Sequence, residues 1–320
     1  MHIMRNVTFR QLQIFAAVVR QRSFSRAADE LFLAQPTISL QIKKLTETIG
    51  LPLLEQIGRE LRPTDAGLDL YLTCKDLFQS FENLETQIAA HKGLQRGKLR
   101  LGVVTTAKYI APELLAAFGQ RHPGIEFSMQ VSNRDEIIQR ILQHEDDLYI
   151  MGQVPDEDVD VEAVPFALNP ITVMVPRDHI LTRQEGPLPL AAIARHPFLI
   201  REPGSGTRNA YLRLFEERGL KPNVLMELSS NEAIKHAVAS GLGISILSIH
   251  SLALEGTHGA IQILDTESFP ILRKWYLVYP KARRLPLLAA EFLQFCQTQE
   301  EFITQRLIAL WPDLSRYLSP

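Results

Sequence analysis

Residues 23–45 read SFSRAADELFLAQPTISLQIKKL. The stretch holds two short helical patterns with a break between them. Ser23 or Ser25 offers an N-cap oxygen for the first, and Ala27-Ala28 is small enough to let another helix cross close by. Phe32-Leu33-Ala34 makes the turn. Pro36 suits the first turn of the next helix, where its missing N–H costs nothing. Ile38, Ile42, Leu45 and Ile49 then form an apolar stripe, while Thr37, Ser39, Gln41, Lys43 and Lys44 fall on the other faces. A core helix needs no such interruption, whereas a helix that must protrude from a brace does.

Working outward, residues 8–22 carry Leu12, Phe15, Ala16 and Val19 at helical spacing, which predicts a helix with one apolar face. Two short helices joined by a tight turn, the second polar and basic on its outer side, have the helix-turn-helix layout. On periodicity alone, a plain helical hairpin with a solvated face stays open. Residues 50–65, GLPLLEQIGRELRPTD, read as two short strands around Gly58, a wing with Arg59 and Arg62 at its tip and edge. In a DNA complex, Thr37, Ser39 and Gln41 would meet base edges, and Arg22, Lys43, Lys44, Arg59 and Arg62 would meet phosphates. Ser23, Arg26, Gln35 and Pro36 complete the expected DNA-facing set.

Composition frames this segment. A chain of 320 residues predicts two or three domains, and 46% hydrophobic with 22% charged residues fits a soluble globular protein. The net charge of −2 is uneven: residues 1–65 hold nine Lys/Arg against six Asp/Glu, the remainder 25 against 30. A basic end on an acidic body points to an anionic partner for that end, though chance scatter explains the charge equally well. Cys74 and Cys296 lie far apart with no Cys/His cluster, so neither a zinc site nor a disulfide framework is expected. No signal-like or bilayer-spanning apolar run is present, which predicts a cytoplasmic protein with no membrane partner.

Residues 65–91 contain no proline and one glycine. Leu70, Cys74, Leu77, Phe81, Leu84 and Ile88 alternate at four and three residues, a heptad seam. At ~1.5 Å per residue the helix spans roughly 40 Å, and its simplest partner is a second copy of itself. Cys74 reads as a small residue of that seam rather than a redox group. Gly93 and Gly97 mark the way out.

The body alternates strands and helices. Strands are expected at 98–104, 125–131, 148–151, 171–175, 198–201, 224–228, 244–247 and 273–279; helices at 109–121, 134–144, 207–218, 231–240 and 285–307. Asn133 with Glu136 is a capping-box-like start. The alternation implies parallel sheets covered by helices. In such sheets ligands sit beyond the carboxyl ends of strands, often at helix N-termini. That rule nominates Thr105 and Thr106 with Lys108; Ser132 and Asn133 with Arg134; and Arg201, Ser205, Thr207 and Arg208, with Asn169-Pro170 at a crossing between two lobes. Each hydroxyl read singly is equally a helix cap. As a set they suit a small anion, a carboxylate or phosphate. Gly241-Leu242-Gly243 lacks the third glycine of a dinucleotide fingerprint and reads as a helix stop.

The N-terminal 65 residues resemble the winged helix-turn-helix of the LysR-type transcriptional regulators. Phe15, Ser23, Ala27-Ala28, Leu31, Gln35-Pro36, Ser39, Ile42, Leu45, Gly50 and Thr64-Asp65-Ala66-Gly67 carry the match. Thr46 and Gln56 depart from it, and Gln56 puts one backbone contact in doubt. Thr105-Thr106-Ala107-Lys108-Tyr109, residues 120–125, Asn133-Arg134, residues 146–153 and Glu55-Gln56-Ile57-Gly58 resemble the branch that controls RuBisCO and Calvin-cycle operons. The resemblance implies an α/β chain in five parts. These are a winged helix-turn-helix domain (1–64), a long dimerisation helix (65–93), two lobes of a periplasmic-binding-protein-like effector domain (94–169 with 268–307, and 170–267), and a tail (308–320). It also implies an interrupted palindrome of double-stranded DNA as partner, a homodimer pairing into a tetramer, contact with RNA polymerase, no cofactor, and a phosphorylated or otherwise anionic carbon metabolite as effector.

Three alternatives stand beside this reading. One is a LysR-type regulator of a different metabolic operon. Another is a small-anion-binding or transport protein without a DNA role. The third is an enzyme in the cleft, against which stands the absence of any evident nucleophile–base pair.

Overall fold

The chain is described from a computed structural model covering residues 6–58, 60–91, 97–156, 158–184, 186–256 and 259–318. It divides into two compact units, Met1–Ile88 and Ala89–Pro320.

The first unit begins with α1 (Phe9–Gln21), whose start is a reciprocal capping box: Thr8 Oγ1 accepts from Gln11 N at 3.2 Å, and Gln11 Oε1 accepts from Thr8 N at 2.9 Å. In α2 (Phe24–Leu31) the cap is Ser23, not Ser25. The chain then turns through Phe32, which holds φ +54° and is almost wholly exposed. α3 (Gln35–Ile49) has Pro36 in its first turn and stops at Gly50, φ +81°. β1 (Leu54–Ile57) and β2 (Glu60–Pro63) pair antiparallel around Gly58, and α4 (Asp65–His91) follows.

The core of this unit is Ile14, Phe15, Ala16, Ala17, Val18, Ala27, Ala28, Ile38, Ile42, Leu45 and Leu53. On α1 the buried set is therefore wider than expected, and Leu12 and Val19 lie only at its margin because neighbouring helices cover two sides. Ile49 is likewise half-buried. The wing is tied down by Thr64, whose Oγ1 donates to Pro52 O at 2.6 Å and accepts from Gly67 N at 3.1 Å. Gly67 has to be glycine here: a Cβ would stand 1.9 Å from the Leu53 carbonyl oxygen, a backbone atom that cannot step aside.

The expected seam on α4 divides in two. Cys74 is fully buried and Leu70 partly so, both packed into the head core with Tyr71 and Phe78. Burial pushes the Cys74 thiol up to about 12. Leu77, Phe81, Leu84 and Ile88 remain 40–53% exposed. Leu70 and Cys74 thus belong to the head rather than to a free face, because the first turns of α4 close the core that three short helices leave open.

The second unit runs β3 (Gly97–Val104), a 3₁₀ turn (Ala107–Tyr109), α5 (Ala111–Arg121), β4 (Ile125–Ser132), α6 (Arg134–Leu142), β5 (Leu148–Met151), β6 (Val161–Leu168) and β7 (Ile171–Pro176). It continues with α7 (Leu190–Ile193), β8 (Pro197–Arg201), α8 (Gly206–Glu217), β9 (Asn223–Leu228), α9 (Asn231–Ala239) and β10 (Ser245–Ser248). A 3₁₀ turn (Ile249–Leu252), β11 (Ile261–Leu264), β12 (Lys274–Pro280), α10 (Leu287–Gln297), α11 (Glu300–Leu310) and a last 3₁₀ turn (Pro312–Tyr317) complete it. One sheet has the order β4-β3-β5-β12-β6; a second has β10-β7-β11, with β8-β9 beside it. Each has its own hydrophobic core.

Neither sheet is wholly parallel: the five-stranded sheet is mixed and β10-β7-β11 is antiparallel. β3 is parallel to β4 and β5, but β12 is antiparallel to both its neighbours, and β7 is antiparallel to β10 and β11. The cause is that the chain crosses between lobes twice. β6 passes into β7 through Asn169-Pro170, and the return pairs with it: Asn169 N donates to Arg273 O at 2.7 Å and Ile171 N to Ile271 O at 3.1 Å. A returning strand joins its sheet from the opposite direction. β6, whose pattern Pro165 interrupts, and β11 (Ile261–Leu264) are strands beyond those expected. The single helix expected at 285–307 is two. Thr298 Oγ1 bonds the Phe295 carbonyl at 2.7 Å, which bends the chain and lets Ile303, Leu307, Trp311 and Leu314 reach the core of the first sheet.

Candidate DNA-binding face and effector cleft

On α3, Gln35, Pro36, Thr37, Lys43 and Lys44 are exposed, and Ser39 and Gln41 are half-exposed. Gln35 Nε2 donates to Ser39 Oγ at 3.0 Å, pre-setting two side chains one turn apart. Lys43 lies 4.0 Å from Glu47, a loose exposed pair that a phosphate can displace. Arg22 is exposed at the end of α1. Two expected contacts have local duties. Ser23 uses its oxygen as the α2 cap, and Arg26 Nη2 donates to Gln21 O. Arg62 donates through Nε and Nη2 to one oxygen of Glu60, Oε2, at 3.0 and 2.6 Å, and the guanidinium keeps the Glu60 carboxyl below its usual range. Arg59 lies outside the described residues.

In the second unit a cleft of about 340 Å³, including its open mouth, lies between the two lobes. Val104, Thr105, Thr106, Arg134, Met151, Gly152, Gln153, Arg201, Ser205, Gly206, Thr207 and Arg273 line it. The strand-end rule works locally: Thr105 and Thr106 follow β3, Gly152 and Gln153 follow β5, and Ser205 to Thr207 open α8. Ser205 is the α8 cap, its Oγ accepting from Arg208 N at 3.4 Å. The first amides of that helix, which have no partner within it, give this wall positive potential.

Three guanidiniums meet at the cleft, in different electrostatic states. Arg201 is buried and bonded through all three nitrogens: to Glu202 twice at 2.7 Å, to Asn231 Oδ1 at 2.5 Å and to Thr105 Oγ1 at 2.9 Å. Arg134 donates to the exposed Asp156 at 3.1 Å, yet its Nε is sealed from solvent with no partner. Arg273 donates to Gly206 O at 2.9 Å, makes no ion pair among the described residues, and also leaves its Nε buried and unbonded. Burial lowers its pKa to about 10, so at neutral pH it is a charge held without a counter-charge. Such orphaned donors cost stability unless a ligand answers them. The arrangement suits a compact anion with several oxygens.

Of the residues expected to touch an effector, the cleft brings together Thr105, Thr106, Arg134, Arg201, Ser205 and Thr207. Five lie elsewhere. Lys108 pairs with Glu232 at 3.6 Å. Asn133 spends its oxygen capping α6, accepting from Glu136 N at 2.9 Å. Ser132 sits half-buried at the end of the edge strand β4. Arg208 is engaged by Glu227 and the Arg201 carbonyl. Asn169 is buried at the crossing, accepting from Ser248 Oγ at 2.8 Å. Sequence reasoning missed Gly152, Gln153 and Arg273. Applying the strand-end rule to residues 148–151 would have found the first two. Nothing local marks Arg273, which enters from the return crossing just before β12, far along the chain from Gly152. No cluster of three or more His, Cys, Asp or Glu able to hold a metal occurs among the described residues, and none of their helices is long and apolar enough to cross a membrane.

Residues 9–68 match the bacterial regulatory helix-turn-helix protein, lysR family, and residues 92–301 match the LysR substrate binding domain. The chain is 44% identical over 301 residues to the HTH-type transcriptional activator CmpR of Synechocystis sp., covering 94% of this chain and 98% of that protein. It is 42% identical over 291 residues to the RuBisCO operon transcriptional regulator of Acidithiobacillus ferrooxidans, covering 91% and 94%. Among solved structures it is 43% identical to the regulatory domain of Synechocystis CcmR in complex with 2-PG, with a TM-score of 0.61 over 63% of this chain and 97% of that one. Full-length CbnR complexed with its target DNA, 22% identical, shares the fold, with a TM-score of 0.63 over 91% and 99%. The chain belongs to the LysR family. It is a LysR-type transcriptional regulator, with a DNA-binding helix-turn-helix head and an α/β substrate-binding body, and not an enzyme.

Proposed function

We propose that this regulator controls carbon-fixation genes and that a small phosphorylated carbon metabolite, with 2-PG as its representative, binds in the interlobe cleft and switches it. The observation that carries the reading is the pair of buried, unbonded Nε atoms of Arg134 and Arg273, two residues that line the cleft together with the start of α8. The relatives named for the RuBisCO operon and the 2-PG complex of the CcmR domain support it. Arg273, Arg134, Ser205 and Thr207 form the anion seat. On the head, Thr37, Ser39 and Gln41 read bases, while Arg22, Lys43, Lys44, Arg59 and Arg62 hold phosphates. Leu77, Phe81, Leu84 and Ile88 of α4 pair with the same residues of a second copy, placing two heads on an interrupted palindrome, and two such dimers associate.

A ligand switches such a protein only through its different affinity for two arrangements. The deciding experiment is a footprint on DNA upstream of the gene and its neighbours, with and without 2-PG and other phosphorylated metabolites. A footprint that shortens, or loses a hypersensitive bend, with 2-PG supports the reading. A footprint indifferent to every metabolite removes the effector assignment and leaves a DNA-binding regulator of another operon.

A further inference from the structure

Beside the anion seat, a second set of side chains joins the two lobes across the lip of the cleft. Tyr109, in the 3₁₀ turn after β3, donates its hydroxyl to Glu232 Oε1 at 2.5 Å. Glu232 stands in the first turn of α9, in the opposite lobe. The same carboxylate receives Lys108 Nζ at 3.6 Å and Lys235 Nζ at 2.9 Å. Lys235 is buried, anchored to Ser251 O at 2.8 Å and to Glu255, and its ammonium lies 5.3 Å from the centre of the Tyr109 ring. Burial and Glu232 push the Tyr109 phenol far up, so it stays a donor. Deeper in, Arg201 of one lobe bonds Thr105 of the other.

These bonds differ in kind from those at the crossing. There the lobes are joined by two paired strands, through backbone bonds at Asn169 and Ile171, which can flex without breaking. At the lip the link is made by side-chain termini, which must separate if the cleft is to open.

We propose that Tyr109 and Glu232 form a clasp that holds the lobes closed over the cleft whether or not it is filled, so that Tyr109 sets how fast an effector enters and leaves rather than how tightly it binds. The proposal rests on the cleft being the effector site. A ligand reaches an interlobe seat only from the open arrangement. A bond present in both the empty closed and the filled closed state cancels in the dissociation constant and remains in both rates. Tyr109 is on this account a positioning residue that need not touch the ligand.

The test uses the full chain with Tyr109→Phe and Glu232→Gln and 2-PG as the probe in stopped-flow binding. Losing one hydrogen bond to a charged group is expected to raise association and dissociation together by about tenfold and to leave the dissociation constant within about threefold. A lowered affinity with an unchanged association rate would make Tyr109 a ligand contact and overturn the clasp. Unchanged rates would overturn it as well. A ligand-free measurement separates this from the effector reading. Spin labels go on Glu136→Cys and Glu216→Cys, exposed sites on α6 and α8; the native Cys74 and Cys296 are buried. Tyr109→Phe is expected to shift the label distances longer without ligand. If 2-PG does not bind at all, the effector reading fails, and an unshifted distance still overturns the clasp.

Discussion

A Cβ placed on Gly152 would stand 2.4 Å from Nη2 of Arg273. The glycine after β5 therefore clears the space for Arg273, which, of the three guanidiniums lining the cleft, is the one with no carboxylate partner among the described residues. The crowding falls on the far ends of Arg273 and Asn169 rather than on backbone. A methyl at 152 would thus displace the guanidinium and leave the fold intact. Gly152→Ala is expected to weaken 2-PG binding about tenfold, and Arg273→Gln about a hundredfold, by calorimetry, with DNA binding in the absence of ligand unchanged. Wild-type affinity for 2-PG in Arg273→Gln would remove Arg273 from the seat.

The head offers a test of base reading against charge. Gln41→Ala is expected to weaken the cognate operator selectively, by about 1–3 kcal/mol, and Lys43→Ala to weaken every DNA alike while lowering the salt slope by about one. Titrations on cognate and random duplexes at several salt concentrations read both effects. Equal losses on the two duplexes for both variants would exchange or cancel these roles.

The divided stripe on α4 predicts opposite behaviour from two neighbouring apolar positions. Leu84, half-exposed, faces away from the head core, whereas Cys74 is sealed inside it. Leu84→Asp is expected to convert the assembly to monomers in sedimentation while the head melts normally. Cys74→Ser is expected to leave the assembly whole and lower head stability by about 1–2 kcal/mol. Dissociation caused by Cys74→Ser and not by Leu84→Asp would place the seam on the other half of the helix.

His250 adds a pH dependence. Its ring is buried, with Nε2 2.9 Å from the Leu168 carbonyl beside the crossing, and burial lowers its pKa to about 4 from 6.5. Above pH 6.5 both folded and unfolded chains hold it neutral. Below that the unfolded chain takes up a proton that the folded chain refuses. Its contribution is thus present above pH 6.5 and is lost as pH falls from 6.5 to about 4. By pH 5 the loss is about 2 kcal/mol. His250→Gln, which keeps a donor for Leu168, should show a correspondingly shallower fall between pH 7 and pH 5 in urea denaturation. Parallel curves for the two proteins would show that His250 takes no part.

The chain alone determined whatever depends on near neighbours. Ser23, Phe32, Pro36 and Gly50 placed the breaks of the helix-turn-helix, because caps and left-handed stops act within four residues. The strand ends at Val104 and Arg201 marked half of the cleft, because a strand followed by a helix start carries its own anion-friendly amides. Only the tertiary structure decided which side chains lose water together. It turned Leu70 and Cys74 from an outer seam into a core, since burial depends on what packs opposite. It reversed β12 and so broke the parallel sheet, since direction depends on where a returning chain must enter. It brought Arg273 to Gly152, and Tyr109 to Glu232, over separations in sequence that no local pattern spans. It also assigned each arginine its role, because packing decides whether every donor of a guanidinium is met, as at Arg201, or one is left unanswered, as at Arg134 and Arg273.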